Sequence, residues 1–288
     1  MIRTLLFVPG DSPRKFARAI ECPADALILD LEDSVAPGQK VAARGVTADL
    51  LRTPVRTQAL YVRVNALDTG LLVDDLAAVM PARPDGIVLP KCRSGDDLRR
   101  VHHYLDAFEA AFGLQAGSTR LLPIVTETAD SLFGLAGYAN ASSRLWGMMW
   151  GAEDLSAALG AFGNQVDGQF TGPFLMARNQ CLVAARAAGV EPVDTVYVDV
   201  KNLDGLRREA LAARHDGFTA KALIHPSHVD VVNQAFMPTH AEVDWARRVM
   251  ALVAGSPAGG VFVLDGRMVD LPHIRKAKGI LEMAGVSG

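Results

Sequence analysis

An apolar run that ends in a glycine and two acids occupies the stretch LWGMMWGAEDL, residues Leu145–Leu155. An apolar run of this length fits either a buried strand or a buried helix segment, but the glycine and acids at its end favour a strand that delivers polar groups to a surface. The run LLPIVTE, residues Leu121–Glu127, ends in the same way. Two adjacent strands that each present one carboxylate, Glu127 and Asp154, would form a site for Mg²⁺, which completes its coordination with water and substrate oxygens. The alternative is that both acids only cap the helices that follow, since acids are favoured at helix N-termini.

Strand patterns and helical patterns alternate along residues 1–236. The strand patterns are Leu5–Pro9, Ala26–Leu31, Leu60–Val64, Gly86–Pro90, Leu121–Thr126, Leu145–Trp150, Val196–Val200 and Lys221–Ile224. The helical patterns include one that begins at Ser12-Pro13, then Asp96–Phe112, Pro173–Gly189 and Asp204–His215. Eight such units predict parallel strands with right-handed crossovers that close into a (β/α)₈ TIM barrel. An open nucleotide-binding sheet is disfavoured, because the sequence has neither a glycine-rich dinucleotide fingerprint after the first strand nor a P-loop motif.

Residues 237–288 form a C-terminal extension. We predict a helix over Ala241–Ala254, a Gly/Pro-rich joint at Gly255–Gly260, a short strand at Val261–Leu264 and a last helix from Pro272. A segment of this size is too small to fold as an independent domain. We therefore divide the chain into a barrel domain, residues 1–236, and a C-terminal helical segment, residues 237–288, that packs on the barrel or on another subunit.

The overall composition predicts a soluble cytoplasmic protein. Lys and Arg number 29 against 32 Asp and Glu, a net charge of −3, which gives no reason to expect nucleic acid or an anionic membrane as a partner. Three well-separated cysteines indicate buried or incidental thiols in a reducing compartment. The N-terminal apolar stretch is too short for a signal peptide, and no apolar run is long enough to span a bilayer.

Polar residues follow the predicted strands, and in a barrel the catalytic groups lie where the strands end. The strand-end set comprises Asp30, Glu32, Asp33, Arg63, Asn65, Lys91, Glu127, Asp154, Asp199 and His225. Carboxylates that converge on one mouth repel each other unless a cation or protons offset their charge, which favours the metal hypothesis. Asp30, Glu32 and Asp33 could instead be supporting residues, ion-paired with Arg63 and Lys91. The spacing of the histidines, including His102 and His103, does not predict a zinc site.

A set of short motifs occurs in a fixed order along almost the whole chain, from about Arg3 to about Met283. In order they are LFVPG (6–10), LDLED (29–33), RVN (63–65), LPK (89–91), ET (127–128), GAEDL (151–155), IHP (224–226) and DGRMVD (265–270). Together they resemble the citrate lyase beta subunit-like family, which includes malyl-CoA and citramalyl-CoA lyases and lies within the HpcH/HpaI aldolase superfamily.

The resemblance implies a Mg²⁺-dependent barrel that cleaves or forms a carbon–carbon bond by Claisen chemistry, splitting a CoA thioester into an acyl-CoA and a 2-oxo acid. It implies that the residues carrying this chemistry are the metal ligands Glu127 and Asp154, the substrate-binding Arg63, the CoA-binding Arg14 and Arg18, Phe7 where relatives often have tyrosine, and the acid/base Asp270. It also implies a catalytic role for the barrel, residues 1–236, and a homotrimer or hexamer in which residues 237–288 form a lid that covers the active site of a neighbour.

Three alternatives to a free CoA lyase remain open. The same metal site could direct water at the thioester, which would make the protein a malyl-CoA thioesterase. The chain could be a citrate lyase beta subunit that needs an acyl-carrier partner, or a non-catalytic acyl-CoA-binding pseudoenzyme. Asp265 is a rival to Asp270 as the base, but its place before Gly266 is typical of a turn.

Overall fold

The computed structural model describes residues 1–54, 56–255 and 260–286. Within these residues the barrel contains eight parallel strands. The barrel strands are β1 (Thr4–Pro9), β2 (Ala26–Asp30), β3 (Ala59–Arg63), β4 (Gly86–Leu89), β5 (Arg120–Pro123), β6 (Gly147–Met149), β9 (Glu191–Asp194) and β10 (Ala220–Leu223), and the hairpin of β7 (Gln165–Val166) and β8 (Gln169–Phe170) lies between β6 and β9. The spatial order of the eight barrel strands is β5-β4-β3-β2-β1-β10-β9-β6. Parallel bridges Leu121–Leu145 and Ile124–Met149 join the two end strands, so the predicted TIM barrel is confirmed.

Helices connect most of these strands, as right-handed β/α units require. They are α1 (Pro13–Ala19), α2 (Lys40–Leu51), α3 (Leu72–Val79), α4 (Gly95–Ala111), α5 (Glu153–Leu159), α6 (Gly172–Ala187), α7 (Leu203–Asp216) and α8 (Val229–Phe236). Their ends follow the sequence signals. Ser12 precedes Pro13 at the start of α1, and Gly217, with φ of 117°, ends α7. After β5 the chain forms two short 3₁₀ turns, Asp130–Phe133 and Leu135–Tyr138, where a helix would be expected.

The predicted seventh strand, Val196–Val200, is wrong. The strand lies five residues earlier, at Glu191–Asp194, where its register pairs Gly147 with Glu191 and Ala220 with Val193. Because α6 already ends at Ala187, the chain enters the sheet directly after Gly189. The alternating pattern at 196–200 instead belongs to the loop beyond the strand. Asp199 on that loop is exposed, so it is not a strand-end residue.

The barrel interior is apolar and closely packed. One buried cluster includes Leu5, Ile28, Tyr61 and Val88, which lie on the successive strands β1 to β4. Burial of an aliphatic side chain of this kind contributes about 1.5–3 kcal/mol. Gly86 on β4 leaves room for the Tyr61 ring, since a Cβ there would lie 2.3 Å from a ring carbon.

The chain divides into two compact units, Ile2–Ala235 and Phe236–Gly288. The second contains α9 (His240–Ala254), a hairpin of β11 (Phe262–Leu264) and β12 (Arg267–Val269), and α10 (Leu271–Met283). Thr239 and Glu242 form a capping box at the start of α9, and Ala246, Val249, Ala277 and Ile280 form the unit's own core. The sequence patterns did not predict β12. Most of the predicted joint, 256–259, lies outside the described residues. No helix within the described ranges has the length and apolar character needed to cross a membrane.

Candidate active site

A small cavity of about 70 Å³ opens where the barrel strands end. We call it the mouth cavity. Its lining comprises Phe7, Arg63, Ile124, Glu127, Met149, Trp150, Gly151, Ala152, Glu153, Thr195 and Val196. The carboxyl ends of parallel strands meet at one end of a barrel, so residues far apart in the sequence share this cavity.

Glu127 lies in the wall of the mouth cavity and is 4 % exposed. The backbone N–H of Lys91 donates to its Oε2 at 2.5 Å. The segment after β5 is fixed by Thr126, whose Oγ1 accepts the N–H of Gly151 at 3.0 Å. Gly151 also makes space for the glutamate, because a Cβ at that position would lie 2.7 Å from Glu127 Cγ. The glycine after β6 therefore allows the two strand ends to approach each other.

The charge on Glu127 is poorly compensated. Burial raises the pKa of Glu127, and the nearby carboxylate of Asp154 raises it further, to about 8. Asp154 is the second residue of α5, and its side chain is 32 % exposed. A divalent cation would relieve the repulsion between these two carboxylates. Two carboxylates that leave room for water and substrate oxygens fit the coordination that Mg²⁺ prefers.

Arg63 at the end of β3 is held by two acids. Its Nε and Nη2 donate to the two oxygens of Asp30 at 2.7 and 2.8 Å, and its Nη1 lies 3.0 Å from Glu32 Oε2. Burial alone would raise the pKa of Asp30, but the hydrogen bonds and charge of Arg63 outweigh it and lower that pKa. The predicted ion pairing of Asp30 and Glu32 with Arg63 is therefore present in the structure. These contacts fix the guanidinium in the lining of the mouth cavity.

Lys91 connects the acidic residues around the cavity. Its Nζ lies 2.5 Å from Glu32 Oε1, 3.4 Å from Asp154 Oδ1 and 3.9 Å from Asp33 Oδ1. The residue adopts a left-handed backbone conformation, with φ of 50°, that is uncommon for a non-glycine residue. In this conformation its amide reaches Glu127 while its ammonium reaches Glu32. Lys91 thus supports both predicted metal ligands.

Of the predicted substrate-binding residues considered next, Phe7 lies in the mouth cavity, whereas Arg14 and Arg18 lie on the protein surface. Phe7 lines the mouth cavity, and the Arg63 guanidinium lies 4.8 Å from the centroid of its ring, within cation–π range. Arg14 and Arg18 lie one helical turn apart on the exposed face of α1 and do not line the cavity. Their assignment to CoA stays a prediction.

Asp270 belongs to the C-terminal unit, where it is the N-cap residue of α10. Its Oδ1 lies 2.6 Å from Nδ1 of His273, and both side chains are partly exposed. This N-cap position is compatible with a catalytic role. The sequence reasoning missed His273, although its spacing of three residues from an N-cap acid was a usable signal. The rival Asp265 is bound to Arg248 and lies in the turn between β11 and β12.

Because the seventh strand was predicted at the wrong position, two residues of the mouth cavity were not predicted. Thr195 and Val196, directly after β9, line the mouth cavity. Just below them, Asp194 accepts a hydrogen bond from the indole N–H of Trp150 at 2.7 Å and another from the buried Lys221 at 2.7 Å. This buried ion pair fixes one wall of the cavity. No local sequence pattern predicts this ion pair, because its partners lie on separate strands.

Comparisons with known proteins agree with this fold. Residues 3–226 match the family model HpcH/HpaI aldolase/citrate lyase, and residues 173–288 match a model described as a C-C bond lyase of the TIM-barrel fold. The chain belongs to the HpcH/HpaI aldolase/citrate lyase family. The predicted family and the predicted enzyme class, a carbon–carbon lyase, are confirmed at this level.

Three relatives illustrate the range within the family. The citrate lyase subunit beta of Escherichia coli (strain K12) is 38% identical, over 99% of this chain and 94% of that protein. The (3S)-malyl-CoA thioesterase of Cereibacter sphaeroides is 36% identical, over 98% of this chain and 94% of that protein. The mitochondrial citramalyl-CoA lyase of Mus musculus is 31% identical, over 98% of this chain and 86% of that protein.

A solved structure of a relative also superposes on the whole chain. It is CitE from Mycobacterium tuberculosis in complex with magnesium, acetoacetate and coenzyme A, with a TM-score of 0.82 and 35% identity over 99% of this chain and 98% of that chain. The magnesium in this relative agrees with the cofactor that the sequence predicted.

Proposed function

We propose that this protein is a Mg²⁺-dependent lyase that splits a malyl-CoA- or citramalyl-CoA-type thioester into an acyl-CoA and a 2-oxo acid, or joins the two. The observation that carries the proposal is the buried carboxylate of Glu127 in the wall of the mouth cavity, whose pKa the nearby Asp154 raises, with the guanidinium of Arg63 in the same lining. The buried Glu127, with its raised pKa, is an acid that a divalent cation would hold in its ionised form. The relatives that act on malyl-CoA and citramalyl-CoA, and the one bound to magnesium and coenzyme A, support the same reaction class.

In this proposal Glu127 and Asp154 hold the metal ion. When bound, Mg²⁺ supplies Lewis-acid polarisation of the carbonyl of the 2-oxo acid. Gly151 and the Lys91 amide position Glu127, while the Lys91 ammonium offsets part of the charge of Asp154 and Glu32. These contacts position the two carboxylates for metal binding.

Arg63 binds and orients the substrate. Its contacts with Asp30 and Glu32 fix the guanidinium plane, which limits the entropy lost when a substrate oxygen accepts a hydrogen bond from it. A guanidinium fixed in this way stabilises negative charge that develops on that oxygen. Ile124, Met149 and Val196 give the same cavity an apolar lining.

The acyl half must pass through a thioester enolate, which requires a positioned acid/base. We assign this role to Asp270, with His273 Nδ1 at hydrogen-bond distance from its carboxylate. In condensation, Asp270 takes a proton from the carbon next to the thioester carbonyl, the resulting enolate forms the new bond to the carbonyl carbon of the 2-oxo acid, and the carbonyl oxygen takes up a proton from solvent to become the product hydroxyl. In cleavage, that hydroxyl loses its proton to solvent, the carbon–carbon bond breaks as the carbonyl of the 2-oxo acid forms, and Asp270 gives a proton to the enolate carbon.

The test is an assay of purified protein with Mg²⁺ and either malyl-CoA or citramalyl-CoA, following 2-oxo acid and free thiol together, with EDTA controls. Release of 2-oxo acid without free thiol, lost in EDTA, is the expected result, and the preferred substrate defines the specificity. Free thiol without 2-oxo acid would overturn the lyase and establish the thioesterase. If neither product forms in protein shown to bind Mg²⁺, the result points to a carrier-bound thioester or to a non-catalytic acyl-CoA-binding protein, and a carrier-bound thioester becomes the next substrate to assay.

The same preparation tests the proposed oligomer and the CoA site. Light scattering measures whether the protein is a trimer or hexamer, as the family resemblance implies. Arg14→Ala combined with Arg18→Ala is expected to raise KM for the CoA thioester without changing Mg²⁺ affinity. An unchanged KM would move the CoA site away from α1.

A further inference from the structure

Two histidines and an aspartate meet on the surface of α4. His102 and His103 both face Asp106, because residues three and four positions apart lie on the same side of a helix. His102 Nε2 lies 3.4 Å from Asp106 Oδ2, and His103 Nδ1 lies 3.7 Å from the same oxygen. Among the His, Cys, Asp and Glu side chains that the structure describes, these three form the group whose possible metal-ligand atoms all lie within 4.8 Å of one another. None of the three lines the mouth cavity.

These distances match those between neighbouring ligands of a bound zinc ion. A tetrahedral Zn²⁺ with bonds of about 2.0–2.1 Å to nitrogen and oxygen separates its ligand atoms by about 3.4 Å. An ion could therefore sit between the three donor atoms after small changes of side-chain rotamer. The arrangement supplies three protein ligands and leaves further positions to water.

Neighbouring residues already orient two of these ligands. Ser142 Oγ lies 2.8 Å from Nδ1 of His102, so it can accept the Nδ1 proton and leave the Nε2 lone pair available. The other oxygen of Asp106, Oδ1, accepts a hydrogen bond from Arg144 Nη2 at 2.6 Å. Outer contacts of this kind are typical of metal-ligating histidines and carboxylates.

The local charge also favours a cation. Arg144 is buried and is bound by both Glu109, at 2.5 Å, and Asp106. One guanidinium therefore faces two carboxylates, which leaves an excess of negative charge beside the two imidazoles. Two imidazoles with a carboxylate suit Zn²⁺ and neighbouring transition ions, whereas Mg²⁺ prefers oxygen ligands alone.

We infer that His102, His103 and Asp106 form a second, transition-metal site that takes Zn²⁺ on the outer face of α4. This site does not depend on the reaction proposed for the mouth cavity. Bound metal would hold α4 and, through Ser142 and Arg144, the segment that leads into β6. Because the three ligands come together only in the folded helix, Zn²⁺ raises the stability of the folded protein.

The inference is tested by calorimetric titration of EDTA-treated protein with Zn²⁺ in excess Mg²⁺, together with thermal unfolding. We expect one equivalent to bind at this site and raise Tm, and His103→Ala to weaken that binding at least about tenfold. His103 is the cleanest variant because its side chain is 74% exposed, so its removal leaves the fold intact. His102→Ala is expected to have the same effect.

Two control variants separate this site from others. His215→Ala removes another helical histidine that lies beside an aspartate, and Glu127→Gln removes the proposed Mg²⁺ ligand. Both are expected to keep the His103-dependent Zn²⁺ binding. The inference is overturned if Zn²⁺ fails to bind, binds only above about 100 µM, or binds equally well to His103→Ala.

Discussion

Replacing Glu127 by glutamine tests the electrostatic account of the metal site without relying on turnover. The substitution keeps the size of the side chain and an oxygen that can accept the Lys91 amide hydrogen bond. It removes the ionisable group whose pKa is raised by burial and by Asp154. The variant should therefore lose Mg²⁺ binding and, in metal-free protein, gain stability.

The expected gain depends on pH. The pKa of Glu127 rises from an ordinary 4.5 to about 8 in the folded protein. Below 4.5 the group is protonated in both the folded and unfolded chains, so it makes no difference to stability. As pH rises from 4.5 to 8 the unfolded chain releases the proton while the folded protein retains it, so the stability of the metal-free wild type falls. At 1.36 kcal/mol per pKa unit, the loss reaches an upper bound of about 5 kcal/mol above pH 8.

The assay is urea unfolding at about pH 5 and about pH 9, each in EDTA and in Mg²⁺. In EDTA, Glu127→Gln should be close to wild type at the lower pH and more stable by a few kcal/mol at the higher pH. Mg²⁺ should stabilise the wild type and leave the variant unchanged. The control is Glu153→Gln, which removes an acid that lines the same cavity and accepts a hydrogen bond from Asn164. A metal-free variant no more stable than wild type at high pH would refute the reasoning, as would Mg²⁺ stabilisation of the variant.

Three further predictions concern the base and the barrel core. Asp270→Asn should lower turnover at least about a hundredfold while leaving Mg²⁺ and 2-oxo acid binding intact, and unchanged turnover would place the base elsewhere. His273→Gln should give a turnover between those of wild type and Asp270→Asn, and it should shift the pH–rate profile, because the imidazole contacts the Asp270 carboxylate. If His273 had a purely structural role, the substitution would change stability but not the pH–rate profile. Gly86→Ala should destabilise the protein by about 1–3 kcal/mol in urea unfolding, because its Cβ would collide with the Tyr61 ring, whereas Gly45→Ala, in open space on α2, should be neutral or stabilising.

Part of the candidate site could be predicted from the sequence because its residues lie directly after predicted strands. Arg63, Glu127 and Asp154 each follow an apolar run, and parallel strands in a barrel bring such positions to one mouth. The seventh strand was misplaced because Glu191–Asp194 contains a proline and two acids, while the alternation at 196–200 resembles a strand more closely. Its true position is set by hydrogen bonds to β6 and β10, which lie far away in the sequence.

The sequence by itself determined the class of fold and the family to which the chain belongs, and it predicted the end of the barrel at which the candidate site lies. These follow from the period of apolar residues and from short motifs, which are local properties. Only the tertiary structure decided how the charges pair. Asp30 and Glu32 are bound to Arg63, whereas Glu127 faces Asp154 with a raised pKa. The physical reason is that a carboxylate's pKa depends on burial and on the distances to charges brought in by other strands, and sequence spacing determines neither.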